Sequence, residues 1–162
     1  MKYWIDFEFT KVNDDNISVG VVAEDGRELY LVRHDYLSLR KSQNCTDWVK
    51  ENVLPLLFKQ GVGERVYPNV LDLCLFGEEL REFISLDPDP LIIADSAVDV
   101  YRFCQAYTTS SDGTWCSSNK DKMTFEVRNV DCYPTTLPGA IQHHALWDAR
   151  ALKAKLEELK YV

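Results

Sequence analysis

A run of four apolar residues at positions 91–94, Leu-Ile-Ile-Ala, constrains the fold more than any other feature of this sequence. A short continuous run of this kind is typical of a strand that is buried on both faces of a sheet. Residues 96–107, which follow it, have the apolar spacing of a helix. The run therefore predicts a sheet that is covered by helices.

Other segments complete this architecture. Residues 3–9, 17–23 and 28–32 are predicted strands, and the turn signal at 24–27 makes them an antiparallel meander. Further helices are predicted at 45–57, 69–85 and about 144–159, a last strand at 124–129, and a mobile polar loop at 108–122. We expect one domain over residues 1–162, an α/β fold whose mixed sheet of about five strands, three antiparallel and then parallel ones, is flanked by helices.

The charge and the apolar runs exclude several classes of protein. A net charge of −8, from 18 basic and 26 acidic residues, argues against a protein that coats long nucleic acids. It leaves open an enzyme that binds a few nucleotides, because divalent ions held by carboxylates add positive charge that a residue count misses. No apolar run reaches the roughly 18 to 20 residues that span a bilayer, and the N-terminal residues do not resemble a secretory signal. We expect a cytoplasmic protein without membrane contact.

The five cysteines agree with that location. Their odd number and the absence of a Cys-x-x-Cys pair predict reduced thiols. One alternative is a zinc site built from Cys116, Cys132 and the pair His143-His144. The spacing of these residues matches no common zinc module, which argues against this alternative.

The first strand carries two acids, Asp6 and Glu8. Because successive side chains of a strand alternate between its faces, both carboxylates share the face of Trp4. Two adjacent buried carboxylates repel one another and need a metal ion or a basic side chain to compensate them. The alternative is an edge strand with one solvated face.

A second pair of acids follows the buried strand, at Asp95 and Asp99. The carboxyl ends of the strands are where ligands bind in open α/β sheets. Asp99 lies at the edge of the apolar face of the helix, which makes it a candidate metal ligand. Ser96 and Asp99 also fit a capping box, and Asp95 fits a helix cap, so both alternatives remain open.

The last helix carries Asp148 beside its apolar stripe, so this acid leans inward and needs a partner. His143 precedes it by five residues, near the helix start, where the helix dipole favours the neutral imidazole. A neutral imidazole can act as a general base near pH 7. The alternatives are a surface or capping role for His143 or His144, and an ion pair between Asp148 and Arg150.

Taken together, Asp6-Phe7-Glu8, Asp99 and the block His143-His144-Ala145-Leu146-Trp147-Asp148-Ala149 resemble the DEDDh family of 3′→5′ exonucleases, which have the ribonuclease H-like fold. The family signature is an Asp-x-Glu on the first strand, a central Asp that opens a helix and a His-x4-Asp at the last helix. The stretch 19–28 and the small size resemble most the polyadenylate-specific 3′-exoribonucleases of mycobacteria, with relatives in phages.

The resemblance implies roles for five residues. Asp6, Glu8, Asp99 and Asp148 would bind two divalent cations, Mg²⁺ or Mn²⁺, and His143 would be the general base. It favours Asp99 over Asp95 and His143 over His144. The expected reaction is hydrolysis of single-stranded RNA or DNA from its 3′ end to nucleoside 5′-monophosphates by a two-metal mechanism. Dimerisation is common among such exonucleases but leaves no clear mark in this sequence.

Two other functions remain as alternatives: a ribonuclease H-like endonuclease or resolvase, and a catalytically silent nucleic-acid- or protein-binding module. Candidates for stacking on terminal bases are the aromatic residues Trp4, Phe7, Phe9, Tyr101 and Trp147. Most aromatic residues in a chain of this size belong to the core, so none of these is selected.

Overall fold

A computed structural model of the chain describes residues 1–11, 15–59, 69–71, 73–85, 87–109 and 122–160, with only the backbone described at 69–71 and 73–76. The strands are β1 (Lys2–Phe9), β2 (Asn16–Ala23), β3 (Glu28–Arg33), β4 (Asn69–Leu71), β5 (Leu91–Ala94) and β6 (Thr124–Val127). The helices are α1 (Tyr36–Lys41), α2 (Asp47–Asn52), α3 (Leu73–Ser85), α4 (Ala97–Thr108) and α5 (Ala145–Glu158).

The six strands form one mixed sheet in the order β4-β3-β2-β1-β5-β6. β1, β2 and β3 pair antiparallel, whereas β5 pairs parallel with β1, and β6 parallel with β5. The predicted α/β fold, three antiparallel strands followed by parallel ones with helices around them, is confirmed. The arrangement is consistent with a ribonuclease H-like fold.

β1 is an interior strand, because β2 and β5 pair with its two edges. One face of β1 presents Tyr3, Ile5 and Phe7 to the core beneath α3 and α4. The other face carries Trp4, which is buried against Ile93 and the apolar side of α5. Asp6 and Glu8 share this second face. The edge-strand alternative for these two acids is therefore wrong.

The start of α5 approaches the sheet closely at Gly20 on β2. A Cβ atom at this position would lie 2.3 Å from the carbonyl oxygen of Ala145, well inside van der Waals contact. Gly20 is also the register partner of Asp6 on β1. A residue without a side chain thus lets the first turn of α5 lie directly over the strand pair that carries the first carboxylate.

The predicted helix at 45–57 is shorter in the structure. α2 covers only Asp47–Asn52, and Thr46 caps it by accepting a hydrogen bond from the N–H of Val49 at 3.2 Å. Pro55 lies inside the predicted range, and proline removes a helical hydrogen bond and clashes with the preceding turn. The apolar spacing in the sequence continues to Leu57, whereas the helix ends at Asn52.

The predicted helix at 69–85 is wrong over its first residues. Asn69–Leu71 forms β4, which pairs parallel with β3, and α3 begins only at Leu73. Strand pairing with a distant segment prevails over local apolar spacing here.

The sequence analysis did not predict α1. Most of the predicted mobile loop, at 110–121, lies outside the described residues. None of the helices formed by the described residues has the length and apolar character that crossing a bilayer requires.

Candidate active site

A cleft of about 530 Å³ opens where the carboxyl ends of β1 and β5 meet the first turns of α4 and α5. β1 and β5 run parallel, so the acids in the last half of β1 and those that follow β5 lie at the same edge of the sheet. All five residues predicted for the site line this cleft: Asp6, Glu8, Asp99, His143 and Asp148. Three segments that are far apart in the sequence thus converge on one cavity.

Asp99 reaches from α4 to the first strand. Its side chain is buried, and its Oδ1 accepts a hydrogen bond from the N–H of Phe7 at 3.0 Å. The capping role falls to Ser96, whose Oγ accepts from the N–H of Val98 at 3.1 Å. The proposal that Asp95 caps this helix is therefore wrong, and the carboxylate of Asp99 is bound to β1.

Asp148 is held by two groups, one on each carboxylate oxygen. The hydroxyl of Tyr133 donates to Oδ1 at 2.5 Å, and the backbone N–H of His143 donates to Oδ2 at 2.9 Å. The guanidinium of Arg150 instead forms a two-pronged ion pair with Glu28, with distances of 2.8 and 2.6 Å. The structure thus gives no support to the alternative pairing of Asp148 with Arg150.

The two adjacent histidines point to different surroundings. His143 lines the cleft with a left-handed backbone (φ 64°), and its ring meets the Trp48 indole edge to face at a centroid distance of 4.8 Å. His144 is 1% exposed and stacks on the ring of Tyr30 at 4.5 Å. Only His143 can reach a molecule in the cleft.

Potential ligand atoms form two groups in the cleft. The first comprises Glu8, His143 and Asp148, and the second comprises Asp6, Asp95 and Asp99; within each group the atoms lie within 4.8 Å of one another. Asp95 therefore lies beside Asp99 in the cleft. The distances alone do not decide which of the two acids would bind a metal ion.

The carboxylates of the cleft destabilise one another's charged forms. Burial, with the charges of Asp148 and Asp99, raises the pKa of Glu8 to about 8. Burial is also the main reason why the pKa values of Asp99 and Asp148 rise to about 7. The pKa of Asp6 is raised well above its usual value by burial and by the four neighbouring acids.

Burial has the opposite effect on the imidazoles. It lowers the pKa of His143 below its usual value, which keeps this ring neutral near pH 7. It lowers the pKa of His144 to about 4, more strongly because this ring lies deeper in the protein. A neutral imidazole beside buried acids is able to accept a proton.

The donor set fits a hard divalent cation. Among the described residues, no lysine or arginine forms an ion pair with Asp6, Glu8, Asp99 or Asp148. Carboxylate oxygens are the ligands that Mg²⁺ and Mn²⁺ prefer. The thiol of Cys132 also lines the cleft, but burial raises its pKa to about 12, and Cys116 lies outside the described residues. The cleft therefore resembles an oxygen-ligand site more than a zinc site.

The sequence analysis did not select Tyr133 or Trp48, both of which line the cleft. Tyr133 lies in an irregular segment without periodicity, and Trp48 lies in the predicted helix at 45–57, where nothing in the sequence marks it as a site residue. Trp48 is in fact 51% exposed. Of the aromatic residues considered for stacking, Trp4, Phe7 and Trp147 are buried in the core.

The fold and the cleft together define the class of this protein. It has a mixed sheet consistent with a ribonuclease H-like fold, and a cluster of carboxylates lies at the carboxyl ends of β1 and β5. No protein-family model matches the chain. Two proteins of Mycobacterium tuberculosis, from strains CDC 1551/Oshkosh and ATCC 25618/H37Rv, are each named 3′-5′ exoribonuclease and are 41% identical to it over 59 residues. The match covers 35% of this chain and only about a third (33%) of the length of each curated relative. It supports a relationship to exoribonucleases.

Proposed function

We propose that this chain, as one domain over residues 1–162, is a metal-dependent 3′→5′ exoribonuclease of the DEDDh type. The observation that carries the proposal is the convergence of Asp6 and Glu8, Asp99, and His143 with Asp148 on one cleft. The partial similarity to two proteins named 3′-5′ exoribonuclease points the same way. The cleft volume of about 530 Å³ lies within the range of small-ligand sites, roughly 300–1,000 Å³.

The four acids Asp6, Glu8, Asp99 and Asp148 would hold two divalent cations, Mg²⁺ or Mn²⁺. When ionised, the four carboxylates carry a charge of about −4, which two such ions balance. The mutual repulsion that, after burial, raises the pKa values of Asp6 and Glu8 would then disappear. When bound, the ions would supply Lewis acidity and positive charge at the reacting phosphate. Asp95, which lies beside Asp99, is the alternative ligand.

His143 would act as the general base. Its imidazole accepts a proton from the water that attacks the terminal phosphodiester, and its lowered pKa leaves the ring free to do so near pH 7. The edge-to-face contact with Trp48 restricts rotation of the ring. The P–O3′ bond then breaks, the 3′ oxygen leaves and is protonated, and the product is a nucleoside 5′-monophosphate.

The order in which products appear tests this function. RNA labelled at its 5′ end is incubated with the protein and Mg²⁺, and we expect a ladder of products that shorten by one nucleotide from the 3′ end. Chelation of the metal or the change Asp6→Asn abolishes the ladder. Cuts in a circular RNA would instead identify an endonuclease. Metal-replete protein that cleaves no single-stranded substrate would favour a binding module.

A further inference from the structure

Tyr133 is tied directly to one of the proposed ligands. Its hydroxyl donates to Oδ1 of Asp148 at 2.5 Å, while Oδ2 of the same carboxylate accepts the N–H of His143 at 2.9 Å. A carboxylate that is hydrogen-bonded on both oxygens cannot rotate freely. The phenol and the turn that carries the proposed base thus hold Asp148 from two sides.

Tyr133 itself is anchored at its other end. Its ring packs on the apolar cluster that contains Trp4, Ile93 and Leu152, beneath the inner side of α5. Its backbone N–H donates to Oδ1 of Asp131 at 3.0 Å. A rigid aromatic ring therefore connects the core to the cleft, and its hydroxyl is fixed in place.

We propose that Tyr133 is a positioning residue, which orients the carboxylate of Asp148 for cation binding and aligns it with His143. The inference rests on the proposed function, because it assigns Asp148 as a metal ligand. Groups that hydrogen-bond to metal ligands fix the orientation of those ligands, and their loss costs typically 10- to 100-fold in metal affinity or activity. Tyr133 makes this contact through a single oxygen atom, so it can be tested by a change of that atom alone.

The test uses the full chain with Tyr133→Phe, which keeps the ring in its apolar contacts and removes only the hydroxyl. Mn²⁺ binding is measured by calorimetry without RNA, and the rate of RNA cleavage is measured as a function of metal concentration. We expect Mn²⁺ affinity to fall by about 10-fold or more. The KM for RNA should stay near that of the wild type, because the hydroxyl contacts a ligand of the metal.

Tyr36→Phe is the matched control. Tyr36 on α1 is half-buried like Tyr133, packs against Phe58 and does not line the cleft, so loss of its hydroxyl should change neither metal affinity nor rate. The thermal midpoints of both variants, measured without metal, show whether each variant is folded. Wild-type Mn²⁺ affinity in folded Tyr133→Phe would overturn the inference, as would a raised KM for RNA with unchanged metal affinity.

Failure of the proposed function gives a different result. If the wild-type protein binds Mn²⁺ but cleaves no RNA, the exoribonuclease proposal fails, and the loss of affinity in Tyr133→Phe still decides the role of Tyr133. If the wild-type protein binds no Mn²⁺ at all, the metal site and the role of Tyr133 are both overturned.

Discussion

The backbone N–H of Phe7 donates a hydrogen bond to Oδ1 of Asp99 at 3.0 Å and so joins residues that are 92 positions apart. Phe7 stands between the two acids of β1, so this bond fixes Asp99 beside them. Asp95 lies in the same ligand group without a bond to β1 among the described hydrogen bonds. Experiment can therefore distinguish the roles of Asp95 and Asp99.

We predict that Asp99→Asn abolishes RNA cleavage, whereas Asp95→Asn retains most of it. The amide oxygen of asparagine can still accept the N–H of Phe7, so the fold is kept while the negative charge is lost. Cleavage rates and Mn²⁺ affinities of the two variants are compared. A larger loss of both quantities in Asp95→Asn would make Asp95 the ligand.

The two histidines should also respond differently. We predict that His143→Ala slows cleavage by about 10²- to 10⁴-fold, the usual contribution of a general base, with nearly unchanged metal affinity. His144→Ala should mainly lower stability, because it removes a buried ring that stacks on Tyr30. Rates are expressed per folded molecule, with the folded fraction taken from urea titrations. The assignment of His143 as the general base is wrong if His144→Ala has the lower cleavage rate per folded molecule.

The acid cluster predicts how stability depends on pH. In the folded protein the pKa of Glu8 is about 8 and those of Asp99 and Asp148 are about 7, all raised from values near 4. Between pH 7 and 8.5 the folded state therefore holds protons that the unfolded state has already released. Stability must fall as pH rises through this window.

Urea unfolding in the presence of a chelator, repeated over this pH range, measures the slope of the free energy of unfolding against pH. Glu8→Gln should flatten it and raise the stability of the metal-free protein at pH 8 by ~1 kcal/mol or more, roughly 2–4 °C in Tm for a chain of this size. Millimolar Mg²⁺ should flatten the slope of the wild type in the same way. Metal-free stability that is constant or rises over this window would contradict the raised pKa values.

The close approach of α5 to β2 predicts that Gly20→Ala is strongly destabilising. The new Cβ would meet backbone atoms of Ala145 and Leu146 at 2.3–2.4 Å, and backbone cannot give way as a flexible side chain can. We expect a loss of about 3 kcal/mol or more, at or above the usual range for overpacking. Thermal unfolding measures the loss.

Gly26→Ala provides the comparison for this change. Nothing lies within 4 Å of a Cβ at Gly26, and only its left-handed backbone (φ 89°) opposes the substitution. That conformation costs about 1–2 kcal/mol. Equal losses in the two variants would show that α5 does not rest on Gly20 as described.

Much of the fold and of the candidate site followed from the sequence. The alternation of β1 placed Asp6 and Glu8 on one face, and the run at 91–94 predicted an interior strand. The apolar stripe of α5 turned Asp148 toward the protein interior. Each of these features follows the periodicity of a strand or a helix, so it can be recognised within a short segment of the sequence.

The tertiary structure alone decided the partners of these residues. Periodicity cannot distinguish His143 from His144, because the difference lies in a left-handed backbone at one residue and the ring of Tyr30 beneath the other. Nor does it reveal that Tyr133 binds Asp148 or that Asn69–Leu71 pairs with β3. A sequence pattern determines which face of an element a residue occupies, whereas contacts between distant segments form only when the chain packs.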